Sequence, residues 1–265
     1  MFQLETVNEL YCRCTNFDGT GRLYTKTGSM VGYVGDAKFT KTILGPGGNP
    51  LQAIAGQIGR RLTGENMPLM MVEPKHQQCQ VLLATLSQHV TIIPLNPSLS
   101  LKVDSENLLA FTEECSYGFH FVAQGVISQK GLFTSELRMR AQGATVAILT
   151  DGNPFVLETP CCVDPDALVA WTGPDPSIKF DVGWRNLLGR GGASGESYAF
   201  EFKQPGYQVV IQPSERKSGL DIGIDGHGSG NSPYVQQNQS VGDMMGHTGD
   251  VMSQVGNALG NLFGR

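Results

Sequence analysis

The sequence predicts an all-β protein of repeated antiparallel β-units, and three observations lead there. Short runs alternate apolar and polar residues with a period of two, the pattern of a strand with one buried face. Glycine is abundant, at 34 of 265 residues, while only 16% of the chain is charged; this suits turn-rich sheets better than helices with long solvated faces. Two segments also recur along the chain, so the strands come in similar packets.

From the N-terminus, Cys12 and Cys14 alternate along an apparent strand, and a faint first packet begins at GSMVGYVGDAKFTKTILGPGG (28–48). The segment 49–62 breaks the pattern. Its Leu51, Ile54, Ile58 and Leu62 recur at helical spacing and predict one short internal helix. QVLLATL (80–86), HVTIIPL (89–95), ATVAIL (144–149) and QVVIQ (208–212) are rich in β-branched residues and predict strands. Phe133, Leu137 and Met139 share one face of a strand whose other face carries Thr134, Glu136, Arg138 and Arg140. Tyr198, Phe200 and Phe202 alternate with Glu201 and Lys203 in the same way.

The repetition has two signatures. Val103-Asp104-x-Glu106-x-Leu108-Leu109-Ala110-Phe111 matches Val163-Asp164-x-Asp166-x-Leu168-Val169-Ala170-Trp171 at an offset of 60 positions. Residues 131–149 match 195–212, each a strand, a glycine turn (Gly143, Gly206) and a second strand. The spacing predicts a repeated unit of about 60 residues.

Beyond residue 212 the character changes. Residues 213–240 are rich in Gly, Ser and Gln without strand or helix period, and read as a linker. Residues 241–265 predict an amphipathic C-terminal helix with Ser240 as N-cap, whose docking face is Met244, Val251, Met252, Val255, Leu259 and Phe263. Six glycines between 242 and 264 weaken it by roughly 1 kcal/mol each, so it should form only when docked. The expected organisation is thus a β core over 1–212, a linker over 213–240 and a helix over 241–265.

Composition and motifs argue against several functions. The net charge is −5 and no basic block exceeds the pair Arg60 and Arg61, which disfavours nucleic acid as a partner. The start, MFQLETVNEL, has neither the basic nor the apolar region of a signal peptide, and no run approaches 18 apolar residues; the expectation is a cytoplasmic protein without a transmembrane segment. The six cysteines read as buried reduced thiols, since the spacing Cys12-x-Cys14 with Cys161-Cys162 does not suit a tetrahedral zinc site. The glycine-rich stretches at 45–50 and 189–195 complete no phosphate-binding motif, and Ser229 has no nucleophile elbow around it. His89 and His120 lie beside apolar strand residues and read as structural.

The acid pairs Asp104/Glu106 and Asp164/Asp166 could be read as catalytic carboxylates or metal ligands. Each pair, however, sits at a turn just before a buried strand, where Asp caps backbone N–H groups. Asp104 and Asp164 are therefore expected to be structural turn caps. No catalytic residue, cofactor or metal is expected.

The Gly28-Ser29-Met30 turn, the two Val-Asp-x-acid steps, the Gly131-Leu132-Phe133 strand and the Pro205-Gly206-Tyr207-Gln208-Val209 turn, in this order, resemble the altered-inheritance-of-mitochondria family, similar in fold to the trp RNA-binding attenuation protein (TRAP-like). The resemblance covers roughly residues 3–215. It implies repeated antiparallel β-units in a pseudo-threefold arrangement, of the β-sandwich or double-stranded β-helix type, commonly assembled into a trimeric ring. The RNA-binding relative uses a ring of basic residues and a tryptophan pocket. This chain has no lysine-rich strand edge, so that function does not carry over. The reading is a non-enzymatic homo-oligomeric scaffold, with the C-terminal helix meeting a protein partner. The rival is a ligand- or nucleic-acid-binding module with sites at subunit junctions.

Overall fold

A computed structural model of the chain describes residues 1–42, 45–46, 69–75, 78–122, 133–180 and 198–213. The chain divides into two compact units, Met1–Ser218 and Gly219–Arg265. The second lies outside the described residues, as do the helices expected over 49–62 and 241–265.

The described residues form antiparallel strands with one 3-10 turn, Ser105–Asn107, as their only helical element. In chain order the strands begin with β1 (Phe2–Val7) and β2 (Tyr11–Asn16). Six follow: β3 (Leu23–Lys26), β4 (Met30–Val34), β5 (Ala37–Thr42), β6 (Leu69–Pro74), β7 (Cys79–Leu83) and β8 (His89–Pro94). Six more are β9 (Leu101–Asp104), β10 (Leu108–Thr112), β11 (Cys115–Phe121), β12 (Phe133–Met139), β13 (Thr145–Thr150) and β14 (Phe155–Glu158). The last are β15 (Cys161–Val163), β16 (Leu168–Thr172), β17 (Ser177–Phe180), β18 (Tyr198–Phe202) and β19 (Gln208–Ile211). The runs expected at 80–86, 89–95, 144–149 and 208–212 correspond to β7, β8, β13 and β19.

Four sheets result. The first has the order β1-β2-β7-β4, the second β5-β6-β3-β10-β13-β8, the third β11-β12-β9-β16-β19-β14 and the fourth β15-β18-β17. Every strand of the third sheet comes six strands later in the chain than its counterpart in the second. The registers agree as closely. Leu108, Ala110 and Phe111 face Ile148, Ala147 and Val146, with a bulge between Leu108 and Ala110. Leu168, Ala170 and Trp171 face Ile211, Val210 and Val209, with a bulge between Leu168 and Ala170. A third bulge of this kind separates Met30 and Gly32, which face Leu83 and Leu82.

Three apolar clusters fill the spaces between the sheets. One joins residues of the first and second sheets, among them Cys14, Val81, Leu109 and Leu149. Another joins the second and third through Phe111, Ile148, Leu137 and Val169. The third joins the third and fourth through Trp171, Val209, Phe200 and Phe202. The second and third sheets therefore bury both faces, which is why β10 and β13 read LLAFT and TVAILT rather than alternating cleanly. Alternate residues serve opposite clusters: Val146 and Ile148 lie in one, Ala147 and Leu149 in the other.

Two sequence expectations need correction. Thr134, expected on a polar face, is buried at the end of β12, where it pairs with Asp104 across the ladder. Cys12, Cys14, Cys79 and Cys115 are buried free thiols as expected, but Cys161 is half-buried and Cys162 exposed, because β15 lies at the margin of its sheet.

Candidate functional site

The acid steps are turns built by local chemistry. The Asp104 carboxylate Oδ1 accepts the backbone N–H of Glu106 at 3.0 Å, and Asp164 Oδ1 accepts that of Asp166 at 2.6 Å. Each is an Asx cap on the turn that leads into β10 or β16. Within the first turn, buried Asn107 donates to the Leu149 carbonyl at 2.6 Å and ties the turn to β13.

A charged cluster that the sequence did not reveal lies on the third sheet. Lys102 on β9 is buried, and its Nζ donates to the Gly173 carbonyl at 2.6 Å and to Asp175 Oδ1 at 2.9 Å. His120 on β11 donates through Nε2 to Asp175 Oδ2 at 2.7 Å. Burial alone would raise the Asp175 carboxyl; hydrogen bonds from His120 and Lys102 outweigh it and hold the group at about 2. The Lys102 ammonium also sits 5.9 Å from the centre of the Trp171 ring. Gly173, at φ +79°, lets the chain turn here, and a Cβ at that position would run into the Tyr207 ring. Thr172, Pro174, Asp175, Glu201, Phe202 and Tyr207 line a small depression of about 160 Å³.

The cysteines do not converge. Cys12 and Cys14 have sulfurs 3.5 Å apart within the core of the first sheet, and burial pushes the Cys14 thiol well up, keeping it protonated and inert. Cys161 belongs to the margin of a different cluster. Among the described residues no group of three or more His, Cys, Asp or Glu side chains could hold a metal ion. His89 lies 2.9 Å from Asn153 Oδ1 on one side of β8, far along the chain from His120. The expected docking face Met244, Val251, Met252, Val255, Leu259 and Phe263 lies outside the described residues.

Several exposed apolar side chains gather on strand margins. On β4, Val31, Tyr33 and Val34 are 56%, 51% and 69% exposed. Among the described strands β4 pairs only with β7, and β15 only with β18. Neither strand carries a charged residue, although natural sheet edges are commonly guarded by lysine or proline.

Comparison with known proteins places the chain. The family model described as Mitochondrial biogenesis AIM24 matches residues 15–214. The chain belongs to that family. A crystal structure of a Streptococcus pyogenes protein resembles this AIM24-family chain over 81% of its length and 94% of the other's, with a TM-score of 0.57 at 19% identity. That similarity bears on the fold alone. Among the curated proteins there is no match. Among the described residues of this AIM24-family protein, no helix is long and apolar enough to cross a membrane.

Proposed function

We propose that this AIM24-family protein is a non-enzymatic homo-oligomeric scaffold that acts through protein–protein contacts. The observation that carries the reading is the pair of uncharged strand margins, β4 and β15, of which β4 exposes three large apolar side chains. Exposed flat apolar edges are templates for pairing with another chain. The recurring strand order supports it: β17-β18-β15 reproduces the first three strands of the six-stranded plan and β4-β7-β2 the last three. The two half-plans leave room for one more joint, made between copies. Asp104 and Asp164 are occupied as backbone caps, which favours a structural role for the acid pairs. A cytoplasmic location and a protein partner for the helix expected over 241–265 belong to the same reading.

Light scattering on the full-length protein tests it. A mass near three times 28.5 kDa is expected, and a monomer at micromolar concentration overturns the proposal. If the assembled protein also retards RNA in a salt-dependent way, binding at subunit junctions replaces the scaffold reading.

A further inference from the structure

Two joints between strand packets are complete within the chain. At one, β10 lies against β3 with Ala110, Phe111 and Thr112 facing Thr25, Tyr24 and Leu23. At the other, β16 lies against β9 with Ala170, Trp171 and Thr172 facing Val103, Lys102 and Leu101. Each joint places an aromatic from the bulged strand on a long side chain opposite: Phe111 stacks on Tyr24 at 5.3 Å, and Trp171 lies under the Lys102 ammonium. All four side chains are buried.

The third bulged strand is β4, where Tyr33 occupies the place of Phe111 and Trp171, one residue beyond the bulge partner Gly32. The third strand of the β3 and β9 type is β15. Its Val163 precedes Asp164 as Val103 precedes Asp104, and it pairs with β18 through Val163↔Phe200 as β9 pairs with β12 through Val103↔Ser135. Cys162 therefore stands where Tyr24 and Lys102 stand. Yet Tyr33 and Cys162 are exposed, whereas their counterparts at the complete joints are buried. The same two positions are buried wherever the joint exists and exposed where it does not, although Tyr33 there meets Phe39 edge-on and Cys162 meets Lys179.

We infer that β4 of one copy pairs antiparallel with β15 of a second copy, with Gly32, Tyr33 and Val34 facing Val163, Cys162 and Cys161 of that copy. The inference rests on the oligomeric reading above and specifies its interface. The contact is heterologous, β4 to β15 and never β4 to β4, so copies join head to tail and a closed ring ends the series. The fit is chemical as well as geometric. Both strands are uncharged, the cation at Cys162 being Lys179, whose Nζ lies 3.9 Å from its sulfur on β17 of the same sheet, and ladder hydrogen bonds satisfy the backbone groups of both edges.

The test is cross-linking of the full-length Tyr33→Cys protein under mild oxidation or with a short bis-thiol reagent, read on non-reducing gels. Covalent multimers are expected, and adding Cys162→Ser should remove them. Phe155→Cys, exposed on β14, should form none with Cys162. Wild-type protein gives a second measure: alkylation of Cys162 should slow at least tenfold between dilute and assembled protein, and this decides the matter if Tyr33→Cys fails to assemble. Multimers by light scattering without Cys162-dependent cross-links in assembled Tyr33→Cys overturn this register while leaving the scaffold reading intact. A cross-linked monomer overturns it too, by showing that β4 and β15 of one chain close on each other. A protein that stays monomeric overturns both readings.

Discussion

At the scale of single residues, Asp104 and Asp164 perform the same task in two turns, each accepting the N–H two positions on. Replacing either with alanine should lower stability by about 1 kcal/mol, the usual cost of a lost cap, as measured by denaturant titration. These caps were legible because an Asx turn depends only on neighbours in sequence. The Lys102–Asp175–His120 cluster was not, because Asp175 lies 73 and 55 positions from its two partners. Its carboxyl falls from an ordinary 3.8 to about 2 on folding. A depressed folded value stabilises the native state above the unfolded pKa and loses that effect as the pH falls through the folded one. Asp175 keeps 27% of its side-chain surface, so after screening by solvent Asp175→Asn should cost about 1–2 kcal/mol at pH 7. Most of the difference between variant and wild type should vanish between pH 4 and pH 2, which melts across that range will show.

At the scale of the element, β10 shows what burial on both faces demands. Its five residues are all buried, with Leu109 in the cluster shared with the first sheet and Leu108 and Phe111 in the one shared with the third. Leu109→Ala should cost about 3 kcal/mol because the packed neighbours on both sides prevent the cavity from collapsing. Val156→Ala on half-exposed β14 should stay within about 0.5 kcal/mol. Comparing the two by chemical denaturation checks the layer assignment. The positions of β7, β8, β13 and β19 were readable from β-branched runs, and the continuous apolar stretch in β13 is that of a two-faced strand. Partner choice was not readable: β2 takes β7 rather than a near neighbour on its far side, and no local term in the sequence encodes that pairing.

At the scale of the whole molecule, the margins β4 and β15 decide how copies meet. Because neither strand carries charge, raising salt from 0.1 to 1 M should leave the assembled mass unchanged, whereas an ionic interface would weaken; light scattering at both salt levels distinguishes these. Val31→Lys or Tyr33→Lys should instead shift the protein toward monomer with little change in its melting, since both side chains are exposed within one copy. The sequence by itself determined the all-β class, the positions of β7, β8, β12, β13, β18 and β19, the 60-residue recurrence and the acid turns, because period-two patterning, glycine turns and Asx capping are properties of adjacent residues. Only the tertiary structure decided the order of strands in each sheet, the burial of Thr134, the exposure of Cys162 and the meeting of Lys102, Asp175 and His120. Those depend on which distant segments pack together, a choice made by the summed burial of many weak contacts and written at no single position.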